Sequence, residues 1–221
     1  MENSIILGSG ILLLIMYFWD LKNNKPDLRT MIKIGIFSGI SYILYITQFI
    51  KYPQGGGISL FSMVPVMLLS ILYGRTVGLT AGLIFGLSKM LNGMFVVHPA
   101  QFLLDYVLST MGLGLACVFG RENKFKIFMG CLFAVVVSVG MNILSGAVYF
   151  GQYAPEGMNV WWYSFIYNGS SAGVEGILCT VIVAVFPIKR IINRFDGTKN
   201  TIEMIDKFDE EKNIIELKQE G

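Results

Sequence analysis

The chain has 221 residues, of which 54% are hydrophobic and only 14% charged, with a mean hydropathy of +0.62 and a formal net charge of +2. Soluble domains carry about 25% charged residues, so this composition excludes an ordinary water-soluble fold and predicts a single membrane domain of bundled helices. The one histidine, His98, leaves little for a histidine metal cluster or a Ser-His-Asp triad. The three cysteines, Cys117, Cys131 and Cys179, lie in apolar stretches without metal-ligand spacing and read as packing thiols.

A spanning helix needs about 20 mostly apolar residues. In chain order such stretches are Ser4–Leu21, Met31–Ile50, Ile58–Tyr73, Val77–Leu91, Pro99–Phe119, Phe125–Phe150 and Trp162–Ile188. The first lacks the basic start and small-residue cleavage site of a secretory signal, so it is expected to be a retained helix. The third and fourth are short and separated by Gly74 and Arg75 alone, which fits a tight hairpin or a pair of partial spans. Lys22, Lys25, Arg29 and Lys33 cluster in the first connection, Arg75 in the third, Arg121, Lys124 and Lys126 in the fifth, and Lys189, Arg190 and Arg194 after the last span. The intervening loops hold only Lys51. Basic residues favour the cytoplasmic side, so the alternation predicts seven spans with the N-terminus outside and the C-terminus in the cytoplasm. Asp196–Gly221 is charged and reads as a solvated tail or a short amphipathic helix.

Polar groups inside spans are costly in contact with lipid and usually face a cavity or a partner helix. Asp105 stands in the fifth span, Asn142 and Ser145 in the sixth, and Asn168 and Glu175 in the last, seven residues apart and so on one face of a regular helix. They serve interhelical hydrogen bonds or a ligand cavity, and Glu175 has Lys89 as a possible ion partner. The loop GQYAPEGMNVWW (Gly151–Trp162) is aromatic, carries a single charge, and is either an interfacial belt or a lid. Ring faces beside an isolated carboxylate suit a small, flat, cationic or amphipathic ligand. No phosphate-binding GxxxxGK[ST] loop is present, so energy for transport must come from a partner or an ion gradient. No paired acid–base catalytic set, cofactor motif or nucleic-acid partner is indicated.

Three stretches carry a resemblance: GGGISLFSMVPVMLLSILYGRTVGLTAGLIFGL (Gly55–Leu87), HPAQFLLDYVLSTMGLGLACVFG (His98–Gly120) and LSGAVYFGQYAPEGMNVWWYSFIYNGS (Leu144–Ser170). Together they resemble the thiamine-specific S components of energy-coupling factor transporters, over about seven-tenths of the chain. The resemblance implies an all-α membrane protein whose six-helix domain (30–190) binds thiamine from outside. It also implies docking on a transmembrane coupling subunit that works with two cytosolic ATPases. Residues 1–29, an additional helix and basic connection, and the tail 191–221 fall outside that domain. By resemblance the ligand site comprises Asp105 and Tyr106 (the family often has glutamate at the first place), Gly146, Tyr163 and Asn168. Asn142 stands where a histidine is common, and Phe150 where a tryptophan stacks on the pyrimidine; each keeps the role, hydrogen bonding or stacking. The family's small-xxx-small docking motif matches Gly35-Ile36-Phe37-Ser38-Gly39. An alternative of the same class is an S component for a precursor such as the aminopyrimidine, and one of a second class is a stand-alone secondary transporter using Asp105 and Glu175 as proton sites. A membrane enzyme is disfavoured by the missing catalytic groups.

Overall fold

The computed structural model describes residues 2–52, 56–188 and 190–191, with the backbone alone for 2–9. Among these residues the chain forms, in order, α1 (Glu2–Asn23), α2 (Leu28–Ile46), strands β1 (Gln48–Lys51) and β2 (Gly57–Ser59), α3 (Val64–Tyr73), α4 (Arg75–Lys89), α5 (Pro99–Cys117), α6 (Lys124–Tyr149) and α7 (Val160–Val185). Helices α5, α6 and α7 are each long and apolar enough to cross a bilayer. These elements form one compact unit; a second unit begins at Phe186. The charged segment Asp196–Gly221 lies outside the described residues.

Helix α3 has 10 residues, about 15 Å at 1.5 Å per residue, half of a hydrocarbon core of about 30 Å. It is apolar on every side, and Val66, Met67 and Leu69 are fully buried, as expected of a helix enclosed by its neighbours. The chain reverses at Gly74, whose φ of +95° belongs to the region that favours glycine. The tight-hairpin reading is therefore the one observed, with α3 a partial span.

One expectation fails here. The second span was extended to Ile50 and the third begun at Ile58, yet Gln48–Lys51 and Gly57–Ser59 pair as antiparallel strands, Gln48 opposite Ser59 and Ile50 opposite Ile58. Hydropathy cannot separate a short apolar strand from a helix end. The local residues can: Gly56 accepts a 2.8 Å bond from the Tyr52 amide that closes the hairpin, and Pro65 fits only the first turn of α3.

Small residues set the closest helix contacts. Gly78, Gly82 and Gly86 form a strip along α4, and a Cβ on Gly82 would stand 2.9 Å from the Met111 Cα of α5. The two backbones thus touch directly, as small-residue strips permit. Helix α2 turns Ile34, Ser38 and Ser41 inward, and Ser38 Oγ donates to the Ala81 carbonyl at 3.0 Å. Gly35 and Gly39 face the other way, where a Cβ would meet nothing within 4 Å among the described residues.

The additional helix α1 lies against α4 and α5. Its buried face carries Gly10, Leu13, Tyr17 and Asp20, while Ile11, Leu12, Ile15, Phe18 and Trp19 face outward. Tyr17 Oη lies 3.3 Å from Thr80 Oγ1. Arg75 forks onto Asp20, with Nη2 donating to Oδ1 at 2.6 Å and Nε to Oδ2.

Candidate functional site

The C-terminal ends of α2, α4 and α6, the N-terminal halves of α5 and α7, and the β1–β2 hairpin converge at one end of the bundle around a cavity of about 160 Å³. By this measure a water needs about 10–15 Å³, so the space suits a small organic molecule. All seven residues singled out from the sequence line it: Asp105 and Tyr106 from α5, Asn142 and Gly146 from α6, Phe150 at the end of α6, and Tyr163 and Asn168 from α7.

Two π-helical stretches shape the walls. Leu103–Leu108 within α5 carries Asp105 and Tyr106, and Gly169–Gly173 within α7 separates Asn168 from Glu175. Such wide turns recur at functional sites. The run Gly-Ser-Ser-Ala-Gly makes the second one easy, because no bulky side chain resists it. The regular-helix spacing assumed for Asn168 and Glu175 is thus replaced by a wider turn, although both still reach the cavity.

Asp105, Tyr106 and Asn168 are held by hydrogen bonds. Gln101 Nε2 donates to Asp105 Oδ2 at 2.6 Å, and the Phe95 amide donates to Tyr106 Oη at 3.2 Å. Asn168 Nδ2 donates to the carbonyls of Asn142 (3.2 Å) and Ser164 (3.0 Å), fixing the amide between α6 and α7. Gly146 makes this approach possible, since a Cβ there would run into Ser164 and lie 3.1 Å from Asn168 Nδ2. Phe150 stacks on Phe95, centroids 5.9 Å apart and planes at 25°, and both rings line the cavity.

Glu175, 3% exposed, does not pair with Lys89. Its Oε1 accepts from the Ser59 hydroxyl (2.6 Å), the Ser62 amide (2.9 Å) and the Ser62 hydroxyl (2.8 Å), while Oε2 accepts from the Ser59 amide (2.8 Å). The turn that delivers these donors contains Phe61 at φ +57°, a left-handed conformation rare for an aromatic residue. One carboxylate therefore ties the hairpin to α7. Tyr52 and Tyr167 reinforce the tie with an edge-on contact at 5.5 Å. Lys89 instead places Nζ over the rings of Tyr45, Phe85 and Tyr106.

The Gly151–Trp162 segment contributes nothing to the lining. Trp161 and Trp162 are 40% and 58% exposed, and Trp162 stacks on Phe165 along the outside of α7. The belt reading fits these rings, and on this side the lining comes instead from the hairpin residues Gln48 and Gly57 and from Phe95. Sequence reasoning passed over Tyr45, Gln101 and Tyr167 and weighed Lys89 only as an ion partner of Glu175; all four are in the lining. Lys89 and Gln101 carried a usable signal, being polar residues at the ends of apolar helices.

The sequence profile of the family described as Thiamine transporter protein (Thia_YuaJ) matches residues 31–193. The chain is 33% identical over 178 residues to the Thiamine transporter ThiT of Bacillus subtilis, covering 74% of this chain and 92% of that protein. It is 31% identical over 142 residues to the Thiamine transporter ThiT of Lacticaseibacillus paracasei, covering 57% and 70% respectively. Its fold matches the solved structure of ThiT from Listeria monocytogenes with a TM-score of 0.66 at 20% identity, covering 74% of this chain and 94% of that one. The profile begins after α1, so α2–α7 form the shared six-helix core and α1 is an addition to it. With a profile spanning most of its length and a curated relative above 30% identity, this all-α membrane protein belongs to the thiamine transporter family.

Proposed function

We propose that the chain is the thiamine-binding subunit of an energy-coupling factor importer. Thiamine joins an aminopyrimidine to a thiazolium through one methylene, giving two flat rings and one fixed positive charge. The observation that carries the reading is the shared lining of Asp105, Tyr106, Asn142, Phe150, Tyr163 and Asn168: a half-buried carboxylate for the cation, ring faces for stacking, and amides for the pyrimidine edge. Gly146 lets α6 and α7 approach closely enough to hold Asn168 in the lining.

The loops at the cavity end hold few basic residues and those at the opposite end hold many, which supports a cavity opening outward and a cytoplasmic C-terminus. The chain has no nucleotide-binding loop, so release into the cell falls to a transmembrane coupling subunit and two cytosolic ATPases. Gly35 and Gly39 supply the docking strip, open along its length and flanked by the exposed Ile32, Ile36 and Ile43. The domain limits follow: 1–29 added helix, 30–190 binding domain, 191–221 tail.

Isothermal titration of the detergent-solubilised chain with thiamine tests the reading. Stoichiometric binding at submicromolar concentration, with weaker binding of the isolated aminopyrimidine, is expected. Absence of heat and of competition at micromolar thiamine would refute it. Calorimetry is preferred to tryptophan quenching because neither Trp161 nor Trp162 reaches the cavity.

A further inference from the structure

A lysine in the last turn of an apolar membrane helix is expensive unless something answers its charge. Lys89 lines the cavity together with two acids, Asp105 and Glu175, and these three are the charged groups of the lining among the described residues. Its Nζ makes no ion pair of 4.0 Å or less there; those pairs are Arg75–Asp20 and Lys126–Glu122. It lies 4.9 Å from the ring centroid of Tyr45, 5.8 Å from Phe85 and 5.9 Å from Tyr106, inside the range at which ring faces attract a cation. The helix C-terminus adds a favourable dipole. Glu175 is engaged by four donors from the hairpin, whereas Asp105 takes a side-chain bond from Gln101.

Counting charges at the cavity gives +1 from Lys89, −1 from Asp105 and −1 from Glu175, a net −1. We infer that Lys89 is a specificity-determining residue that cancels one of the two cavity carboxylates, leaving the empty cavity with one negative charge in excess and so matched to a monocation. A ligand with one fixed positive charge brings the site to zero. A neutral isostere leaves it at −1, and a ligand carrying phosphate drives it further negative. The inference rests on the thiamine reading of the same cavity and adds the residue that sets its charge.

The test is a charge-rescue cycle with two probes, thiamine and its neutral isostere in which a thiophene replaces the thiazolium. The readout is the ratio of their dissociation constants in the detergent-solubilised full chain. Asp105→Asn takes the cavity from −1 to 0. At about 8 Å and an effective dielectric of about 20, losing one charge lowers the preference for the cation about 30-fold. Adding Lys89→Met to Asp105→Asn returns the net charge to −1 and is expected to restore the ratio to within about threefold of wild type. Lys89→Arg, which keeps the charge, is expected to leave the ratio unchanged. A double variant that discriminates no better than Asp105→Asn would overturn the inference, as would a ratio that moves in Lys89→Arg. If Lys89 instead contacts the ligand directly, Lys89→Met weakens both probes equally, which also overturns it. Failure of the wild-type chain to bind either probe refutes the thiamine reading itself and takes this inference with it.

Discussion

Replacing Glu175 with glutamine isolates what one buried carboxylate does for the hairpin. Oε1 accepts three hydrogen bonds and Oε2 one, all from Ser59 and Ser62. An amide can keep its oxygen at the Oε1 position, but its NH₂ then faces the Ser59 N–H, donor against donor. The three surviving bonds lose their charge assistance and one buried N–H loses its acceptor. A hydrogen bond to a charged group contributes about 1.5–3 kcal/mol and an unsatisfied buried donor costs about 1–3 kcal/mol, so the hairpin should loosen by roughly 2–4 kcal/mol. That corresponds to an opening about 30- to 1000-fold more frequent, since about 1.4 kcal/mol is tenfold. The hairpin carries Lys51, an exposed tryptic site at the end of β1, which makes opening measurable. Trypsin cleavage after Lys51 should accelerate by at least tenfold in Glu175→Gln, provided opening is fast relative to cleavage. Thiamine affinity should fall as well, because the hairpin forms part of the cavity wall. Cleavage and affinity both within twofold of wild type would refute the claim that this carboxylate holds the hairpin closed.

Phe150→Ala removes a ring stacked on Phe95 and should weaken thiamine about tenfold in calorimetry, whereas Phe150→Trp should bind at least as well as wild type. Arg75→Ala leaves Asp20, 5% exposed, without its fork. With the arginine itself 41% exposed, the loss is expected near 1–3 kcal/mol rather than the larger cost of a fully buried pair, seen as a lower melting temperature with unchanged thiamine affinity. Gly35→Trp/Gly39→Trp should keep thiamine binding in the isolated chain and abolish co-purification with the coupling subunit and cellular uptake. Assembly and uptake at wild-type levels in that variant would move the docking surface elsewhere.

Much of the bundle was legible because apolar length and the placement of Lys and Arg are independent signals that agree. The helices match the predicted stretches closely wherever a helix runs from one polar boundary to the next. Legibility failed where tertiary partners decide the outcome. Gln48–Lys51 becomes a strand because Gly57–Ser59 is there to pair with it, information that neither stretch contains alone. The π turn in α5 leaves no trace in Leu-Leu-Asp-Tyr-Val-Leu. Glu175 and Lys89 were each recognisable as anomalous in a span, but their partners were not. Charge complementarity suggested a pair, while the four serine donors and the three rings satisfy the two groups separately.

Two glycine series with the same four-residue spacing meet opposite fates in this fold. Gly78, Gly82 and Gly86 of α4 are consumed internally, each with α5 backbone or side-chain atoms where a Cβ would stand. At Gly35 and Gly39 of α2 a Cβ would meet nothing within 4 Å among the described residues. Rotation of α2 explains the difference: Ser38 and Ser41 turn into the bundle, where Ser38 reaches the Ala81 carbonyl, and this forces the glycines outward. Each glycine in a helix interior costs about 1 kcal/mol relative to alanine. On α4 close backbone packing offsets that cost, but on α2 the glycines gain no such packing from the described residues, and lipid alone would favour larger side chains there. The added helix α1 does not resolve the matter, since it packs on α4 and α5 and, among the described residues, places nothing on the strip. A second helix approaching α2 as closely as α5 approaches α4 would offset the cost, which is the contact that the proposed coupling subunit would make.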